Sequence, residues 1–456
     1  MSFPRYPKYK DSGVEWLGKL PAHWEVKRLK RACQVFPSNV DKKSHEGETP
    51  VLLCNYTDVY YNESITAGMA LMAATASPEQ IARFTLRADD TIITKDSETA
   101  DDIAVASHVP ADLPGVVCGY HLAMVRPRPV TSGAYVKRLF DSGYAKSRFE
   151  VLANGLTRVG LGQYELDNVE LPFPPLLEQT LIAAFLERET AKIDGLVAEQ
   201  QRLIELLREK RQAVISHAVT KGLNPNAPMK PSGIEWLGEV PAHWDVTKLS
   251  RLATEIGDGL HGTPEYVDES PFHFINGNNL TGGCISLTDM TRCVSEAEFN
   301  KHRVGLDQTT VLLSINGTIG NLAVYRDESV MLGKSAAYVN CGNELAREFL
   351  CLFLQSSFIR RYFDYAVTGT TISNLSLESI RTIPVALPPL DEQLEITAGL
   401  TKRTERLDGL LHEVQHAIDL LQERRTALIS AAVTGQIDVR GSVAQPQAKR
   451  VPSLSA

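Results

Sequence analysis

Ser12–Trp24 reads SGVEWLGKLPAHW and Ser232–Trp244 reads SGIEWLGEVPAHW, with ten of thirteen positions identical at an offset of 220. A second pair closes each half. Glu209–Thr220, EKRQAVISHAVT, matches Glu423–Thr434, ERRTALISAAVT, at eight of twelve positions and an offset of 214. Ahead of these, PPLLEQ (Pro174–Gln179) answers PPLDEQ (Pro388–Gln393), again at 214. Three matches in one order describe a chain written twice, and such duplication sets the architecture before any local reading. The enclosed stretches, roughly 33–170 and 254–384, share little. The halves have one frame and different contents.

The charged segments of the frame carry a heptad pattern. From Ile193, the residues Leu196, Gln200, Leu203, Leu207, Lys210 and Val214 alternate three and four apart. Leu407, Leu410, Val414, Ala417, Leu421, Arg424 and Leu428 repeat that spacing. This predicts an a/d seam in each half, with Lys210 and Arg424 as matched polar interruptions. The double prolines suit a first helical turn, and Gly222 and Gly435 stand where a terminating glycine is common. A helix of about 40 residues is roughly 60 Å long, and its seam needs a partner along that length. The second variable stretch opens where helix one ends and closes where helix two begins. The expected pairing is therefore an antiparallel intramolecular coiled coil, with the variable domains at its opposite ends about a pseudo-two-fold axis. The alternative is that each helix packs on its own domain or on another subunit.

Strand-forming runs such as Thr91–Thr94 and Thr310–Ile315, beside helical ones such as Glu348–Tyr365, predict an α+β fold for both variable domains. The expected boundaries are 1–173 and 223–387 for the globular domains and 174–222 and 388–439 for the helices. A polar, disordered tail is expected over 440–456.

The 456 residues predict more than one domain, and 43% hydrophobic with 22% charged is an ordinary globular balance. No stretch is long and apolar enough to span a bilayer, and MSFPRYPKYKDSG lacks the apolar core of a secretory signal. A cytoplasmic protein is expected. The seven cysteines form no CxxC pair and stand beside no histidine cluster, which predicts buried reduced thiols and no metal site. A net charge of −8 is unusual for a nucleic-acid binder, but it describes the whole surface rather than one face.

Two variable domains alternating with two similar long helices resemble the specificity (S) subunits of type I restriction-modification enzymes. The wording agrees: DGLHGTPEY (Asp258–Tyr266), SINGTIGN (Ser314–Asn321) and GTTISNLSL (Gly369–Leu377) leading into IPVALPPLDEQ (Ile383–Gln393) are similar to segments of that family. The first half departs from it, with GLTRVGLGQ (Gly155–Gln163) in place of the GTTISN segment and no DGxHGTP stretch. The resemblance implies two target recognition domains, each reading one half of a bipartite site on double-stranded DNA. It implies two methyltransferase (M) subunits as partners and, optionally, restriction-translocase (R) subunits. S-adenosylmethionine, ATP and magnesium would belong to those partners, and this chain would be a non-catalytic DNA-binding subunit with no cofactor of its own.

Under that reading the second domain offers His261, Thr263, Asn276, Asn278, Asn279, Asn316, Thr318, Lys334 and Thr371 for base-edge or phosphate contacts. The first offers Arg87, Lys95, Arg126, Arg128 and Arg158. Ordinary turn chemistry explains Asn-Gly and Gly-Thr-Pro equally well. Trp16, Trp236, His23 and His243 read as packing of the repeated opening on the frame. No GxxxxGK[ST] loop and no GxGxxG turn is present, and the double prolines lack the polar neighbour of an amino-methyltransferase motif. The rival function is a coiled-coil adaptor that binds only proteins, its variable domains serving as peptide or ligand sockets.

Overall fold

The computed structural model describes residues 3–367 and 373–442. Thr371 and the tail from residue 443 onward lie outside them. The chain divides into two units, one running to Gln200 and resuming at His416, the other Gln201–Gln415. Each long helix contributes to both: Leu176–Lys221 has 46 residues and Leu390–Val433 has 44.

Inside each unit the helix segments lie antiparallel. In the first, Arg425 Nε donates to Asp194 Oδ1 at 2.9 Å while Arg188 reaches Ser442 O at 3.0 Å. In the second, Arg211 Nε donates to Asp408 Oδ1 at 2.8 Å. Asp194 and Asp408, like Arg211 and Arg425, are equivalents at an offset of 214, so the duplication supplies both halves of both pairs.

The seam departs from the heptad expected. Ile193, Leu207, Val214, Leu407, Val414, Leu421 and Leu428 do turn inward, fully or in part. Leu196, Leu203 and Leu410 do not; they are 49%, 39% and 39% exposed. The other row of the seam sits one residue later, at Val197, Ile204, Arg211, Leu411, Ile418 and Arg425. Adjacent apolar pairs (Leu196-Val197, Leu203-Ile204, Leu410-Leu411) make the two registers equally apolar on paper. The ion pairs need Arg211 and Arg425 beside the seam, which leaves Lys210 and Arg424 outside.

The variable parts share a sheet frame. In the first unit the strands are β1 (Cys33–Pro37), β2 (Thr49–Cys54), β3 (Met72–Ala76), β4 (Thr91–Thr94), β5 (Ala106–His108), β6 (Val116–Cys118) and β7 (Leu122–Pro127). They form an antiparallel sheet β1-β7-β4-β5 and a second sheet β6-β2-β3, in which β2 and β6 run parallel. In the second unit they are β8 (Ala253–Asp258), β9 (Tyr266–Val267), β10 (His273–Ile275), β11 (Cys293–Val294), β12 (Thr310–Ser314), β13 (Leu322–Val324), β14 (Val330–Leu332) and β15 (Ala336–Cys341). There the orders are β8-β15-β12-β13 and β9-β11-β10-β14, with β10 and β14 parallel. The central strands β4 and β12 are buried on both faces, which is why Thr91–Thr94 and Thr310–Ser314 read as unbroken β-formers without alternation.

The repeated motifs converge on one clasp per unit. Trp24 and Trp244 are fully buried. Glu178, from PPLLEQ, accepts hydrogen bonds from Trp24 Nε1 (3.1 Å) and Tyr6 OH (2.6 Å), and lies 2.7 Å from His23 Nε2. Glu392, from PPLDEQ, takes Trp244 Nε1 at 3.0 Å and His243 Nε2 at 2.7 Å. The adjacent glutamines bond the backbone: Gln179 receives Ser132 N and donates to Pro174 O, and Gln393 receives Ala346 N and donates to Pro388 O. Ser430 Oγ accepts Gly143 N and its equivalent Ser216 Oγ accepts Ser357 N, docking a helix start on each long helix. Gly435 sits at φ +72° with a Cβ position 2.3 Å from Pro21, so only glycine fits between helix end and clasp.

One joint is not duplicated. The Glu63 carboxylate receives Lys137, Arg138 (2.9 Å) and Arg425 (2.5 Å), tying the first globular part to its helix segment. The positions equivalent to Lys137 and Arg138 are Cys351 and Leu352, which join an apolar core. Five cysteines are buried as expected; Cys284, on one strand of a two-stranded ribbon, is exposed, and Cys293, at the start of the two-residue β11, is half-buried.

Glu178→Ala is expected to strand two buried donors, Trp24 and Tyr6, and destabilise the first unit by roughly 3 kcal/mol, read by chemical denaturation. The more open Glu392→Ala should cost less. Burial raises the Glu63 carboxyl, but the three cations outweigh it and hold it at about 2 against an ordinary 4.5. The stability it supplies is present above the ordinary value and lost as pH falls toward 2. Glu63→Gln should therefore flatten the stability profile below pH 4.5, as measured by unfolding at a series of pH values.

Candidate nucleic-acid interface

At one end of the main sheet in each unit, five loops are stitched together by backbone hydrogen bonds. In the first unit they are residues 38–43 after β1, 55–58 after β2, 95–97 after β4, 119–121 before β7, and 154–160. Lys95 N donates to His121 O (3.1 Å), Gly119 N to Cys54 O (2.9 Å) and Leu161 N to Lys95 O (2.8 Å). In the second unit the loops are 258–264, 276–279, 315–321, 333–335 and the stretch containing 373–374. Ile315 N donates to Ser335 O (2.9 Å), Gly333 N to Ile275 O (2.8 Å) and Leu375 N to Ile315 O (2.8 Å). These three bonds join equivalent positions in both units. A Cβ on Gly119 would fall 2.7 Å from the Cys54 carbonyl oxygen, so glycine is needed for that approach; one on Gly333 would fall 2.3 Å from Asn276 Oδ1 and displace that side chain.

Backbone bonds between the loops do not depend on side-chain identity, which leaves the outward side chains free to differ. The second unit brings most of its expected residues together. His261 lies exposed, its Nε2 2.8 Å from Asp258 Oδ2. Asn276 Oδ1 accepts Ser335 Oγ at 2.9 Å, and Asn276 N donates to Asn279 Oδ1 at 3.0 Å. Asn316 bridges Asn374, while Thr263, Asn278, Thr318 and Lys334 are exposed on the same loops. Asn276 and Asn279 thus hold the loop, and Asn278, Thr318 and Lys334 present their side chains outward.

The first unit separates its expected residues. Lys95 and Arg158 belong to the loop cluster. Lys95 Nζ donates to Ser38 O at 3.2 Å and stands 4.8 Å from the Tyr120 ring centroid, and Arg158 pairs with Asp96 at 3.6 Å. Arg87, Arg126 and Arg128 lie at the opposite ends of β4 and β7, because those antiparallel strands place Thr94 beside Leu122 and Thr91 beside Val125. Arg126 is committed to the buried Asp90 at 2.7 Å and to Thr85 O at 3.0 Å. Arg128 donates to Lys30 O.

Sequence reasoning missed Tyr56, Asp96, Tyr120 and His121. His121 Nδ1 lies 2.9 Å from Asp96 Oδ1, its ring meets Tyr120 edge-on at 4.8 Å, and Tyr56 stacks on Tyr60 at 5.6 Å. A signal was present: Gly119-Tyr120-His121 stands 214 residues before Gly333-Lys334-Ser335, the frame's own offset.

Two units of one design, each ending in a stitched face of differing side chains, define a protein with two separately built, equivalent loop faces. The model of the type I restriction modification DNA specificity domain matches residues 21–206 and 273–418, well over half of the chain, and the chain belongs to this family. It is 22% identical over 344 residues to the EcoKI specificity subunit of Escherichia coli K12, covering 73% of this chain and 70% of that protein. It is 22% identical over 454 residues to the MjaIX specificity subunit of Methanocaldococcus jannaschii, covering 93% and 95%. A solved chain from work on complex assembly and conformational transition of the type I R-M system shares the fold at a TM-score of 0.67 and 17% identity, covering 91% of this chain and 98% of that one.

The separation of the arginines is testable. Arg126→Ala leaves the Asp90 carboxylate buried and unpaired, and should cost about 3 kcal/mol of stability. Arg158→Ala should leave the melting transition unchanged.

Proposed function

We propose that this chain is the sequence-reading subunit of a type I restriction-modification complex and catalyses no step itself. Each unit reads one half of a bipartite target on double-stranded DNA through its loop face. The observation that supports this most directly is the loop face built twice, with three equivalent backbone bonds and different outward side chains. A reader of two unlike half-sites requires that combination. Phosphate contacts would set position and base-edge contacts would set sequence. The net charge of −8 then belongs to the remaining surface, which suits docking of protein subunits. On the helices, Leu196, Leu203 and Leu410 are free of the intramolecular seam and available to two methyltransferase subunits. Restriction-translocase subunits would join that assembly, and S-adenosylmethionine, ATP and magnesium would be bound by the partners.

The test is co-expression with a methyltransferase subunit of the same system in a methylation-free host, with modified adenines mapped genome-wide. The expected result is one two-part motif with a fixed gap. Exchanging residues 33–170 for those of another family member should change one half of the motif and leave the other intact. A stable complex that modifies no sequence, or a swap that leaves both halves unchanged, overturns the reading.

A further inference from the structure

The two loop faces are built alike but armed differently. The second presents amides, hydroxyls and an amine. The first presents rings, cations and one bare apolar side chain. Leu156 is 106% exposed, more open than a leucine in an extended reference peptide. It stands at the tip of a loop closed on itself: Asn154 N donates to Gly160 O at 3.0 Å and Gly160 N returns to Asn154 O at 2.9 Å. Gly155, at φ +150°, allows the turn, since a Cβ there would lie 1.9 Å from Arg158 O. The base of the loop is stitched to the reading face, with Val159 and Gly160 pairing Ser97 and Asp96. A single exposed leucine on a surface is commonplace. This one is held at the point of a braced turn whose loop also carries the cation Arg158 and is tied at its end, through Leu161 N, to the backbone of a second cation, Lys95.

We propose that Leu156 is an apolar wedge that enters between two base pairs of the half-site read by the first unit, while Arg158 and Lys95 hold flanking phosphates. This rests on the DNA-reading function above. Apolar side chains inserted at a base step partly unstack it, and the resulting deformation is cheaper at flexible pyrimidine–purine steps. The occupant follows from the loop face: an exposed leucine on a face that also carries Arg158, Lys95 and the half-exposed Tyr120 fits a polyanion with stacked apolar interior faces. The consequence is that the two half-sites are read by different physics. The first is chosen partly by how easily one step opens, the second by hydrogen bonding to base edges.

The experiment uses the full chain with its methyltransferase subunits and duplexes carrying the mapped motif, with 2-aminopurine placed at successive positions of each half. Wild type should raise the fluorescence at one step of the first half-site. Leu156→Ala should abolish that rise and weaken binding about tenfold, with the salt dependence of affinity unchanged. Leu156→Met should restore both. Arg158→Ala should keep the rise but lower the slope of log affinity against log salt by about one. Retention of the rise and of affinity in Leu156→Ala overturns the wedge alone, and so does a Leu156→Ala defect confined to subunit assembly. A wild-type complex that binds no duplex and leaves no methylated motif overturns the reading function, and the wedge with it.

Discussion

A carboxylate at the start of each long helix, buried in the first and half-buried in the second, holds the rest in place. Removing Glu178 from water is costly, and three directed donors on one side chain offset that cost. Those donors come from the opening segment, the carboxylate from the helix start, and the neighbouring Gln179 reaches the helix beginning at Gly133. One dipeptide, Glu-Gln, therefore fixes three chain directions at once, and Glu392-Gln393 does the same in the second unit. With those directions set, the sheet frame can hang from the helix without further agreement between the two variable sequences.

The division of labour between backbone and side chain follows. In both loop faces, hydrogen bonds between main-chain atoms define the shape, and glycine at Gly119 and Gly333 permits the closest approach. Some side chains there, such as Asn276 and Asn279, brace the loop, whereas Asn278, Thr318 and Lys334 are left to what they meet outside the protein. Where the frame itself varies, the substitution is a change of currency between ionic and apolar contact. The first unit seats its helices through Glu63, Lys137 and Arg138, whereas the second places Cys351 and Leu352 in the corresponding seat.

Much of this was legible from residues alone. The duplication gave two domains and two helices, and the seam row Ile193, Leu207, Val214, Leu407, Val414, Leu421, Leu428 could be read from spacing. The other row could not, since Leu196-Val197 and Leu203-Ile204 satisfy either register and only the partner helix chooses. Lys95 and Arg158 were found by residue type, but so were Arg87, Arg126 and Arg128. Which end of a strand a residue occupies depends on sheet order, and no periodicity encodes that. Tyr120 and His121 escaped because an aromatic beside a strand looks like core until its loop is seen to face outward.

The first unit draws its core from two stretches far apart in sequence, one before Gln200 and one after His416. Tyr135 OH reaches Val433 O, Tyr9 OH reaches Gly435 O, and Asp438 N donates to Pro4 O. In the second unit the corresponding junction is an ordinary run of peptide bonds from Lys221 into the next hairpin. A ribosome that has released residues up to Gln415 has delivered every part of the second unit. The first, although synthesised earlier, still lacks Ile429, Val433 and the serine that receives Gly143. The half made first is thus the half completed last, and its core stays open to solvent or chaperone until the final helix arrives.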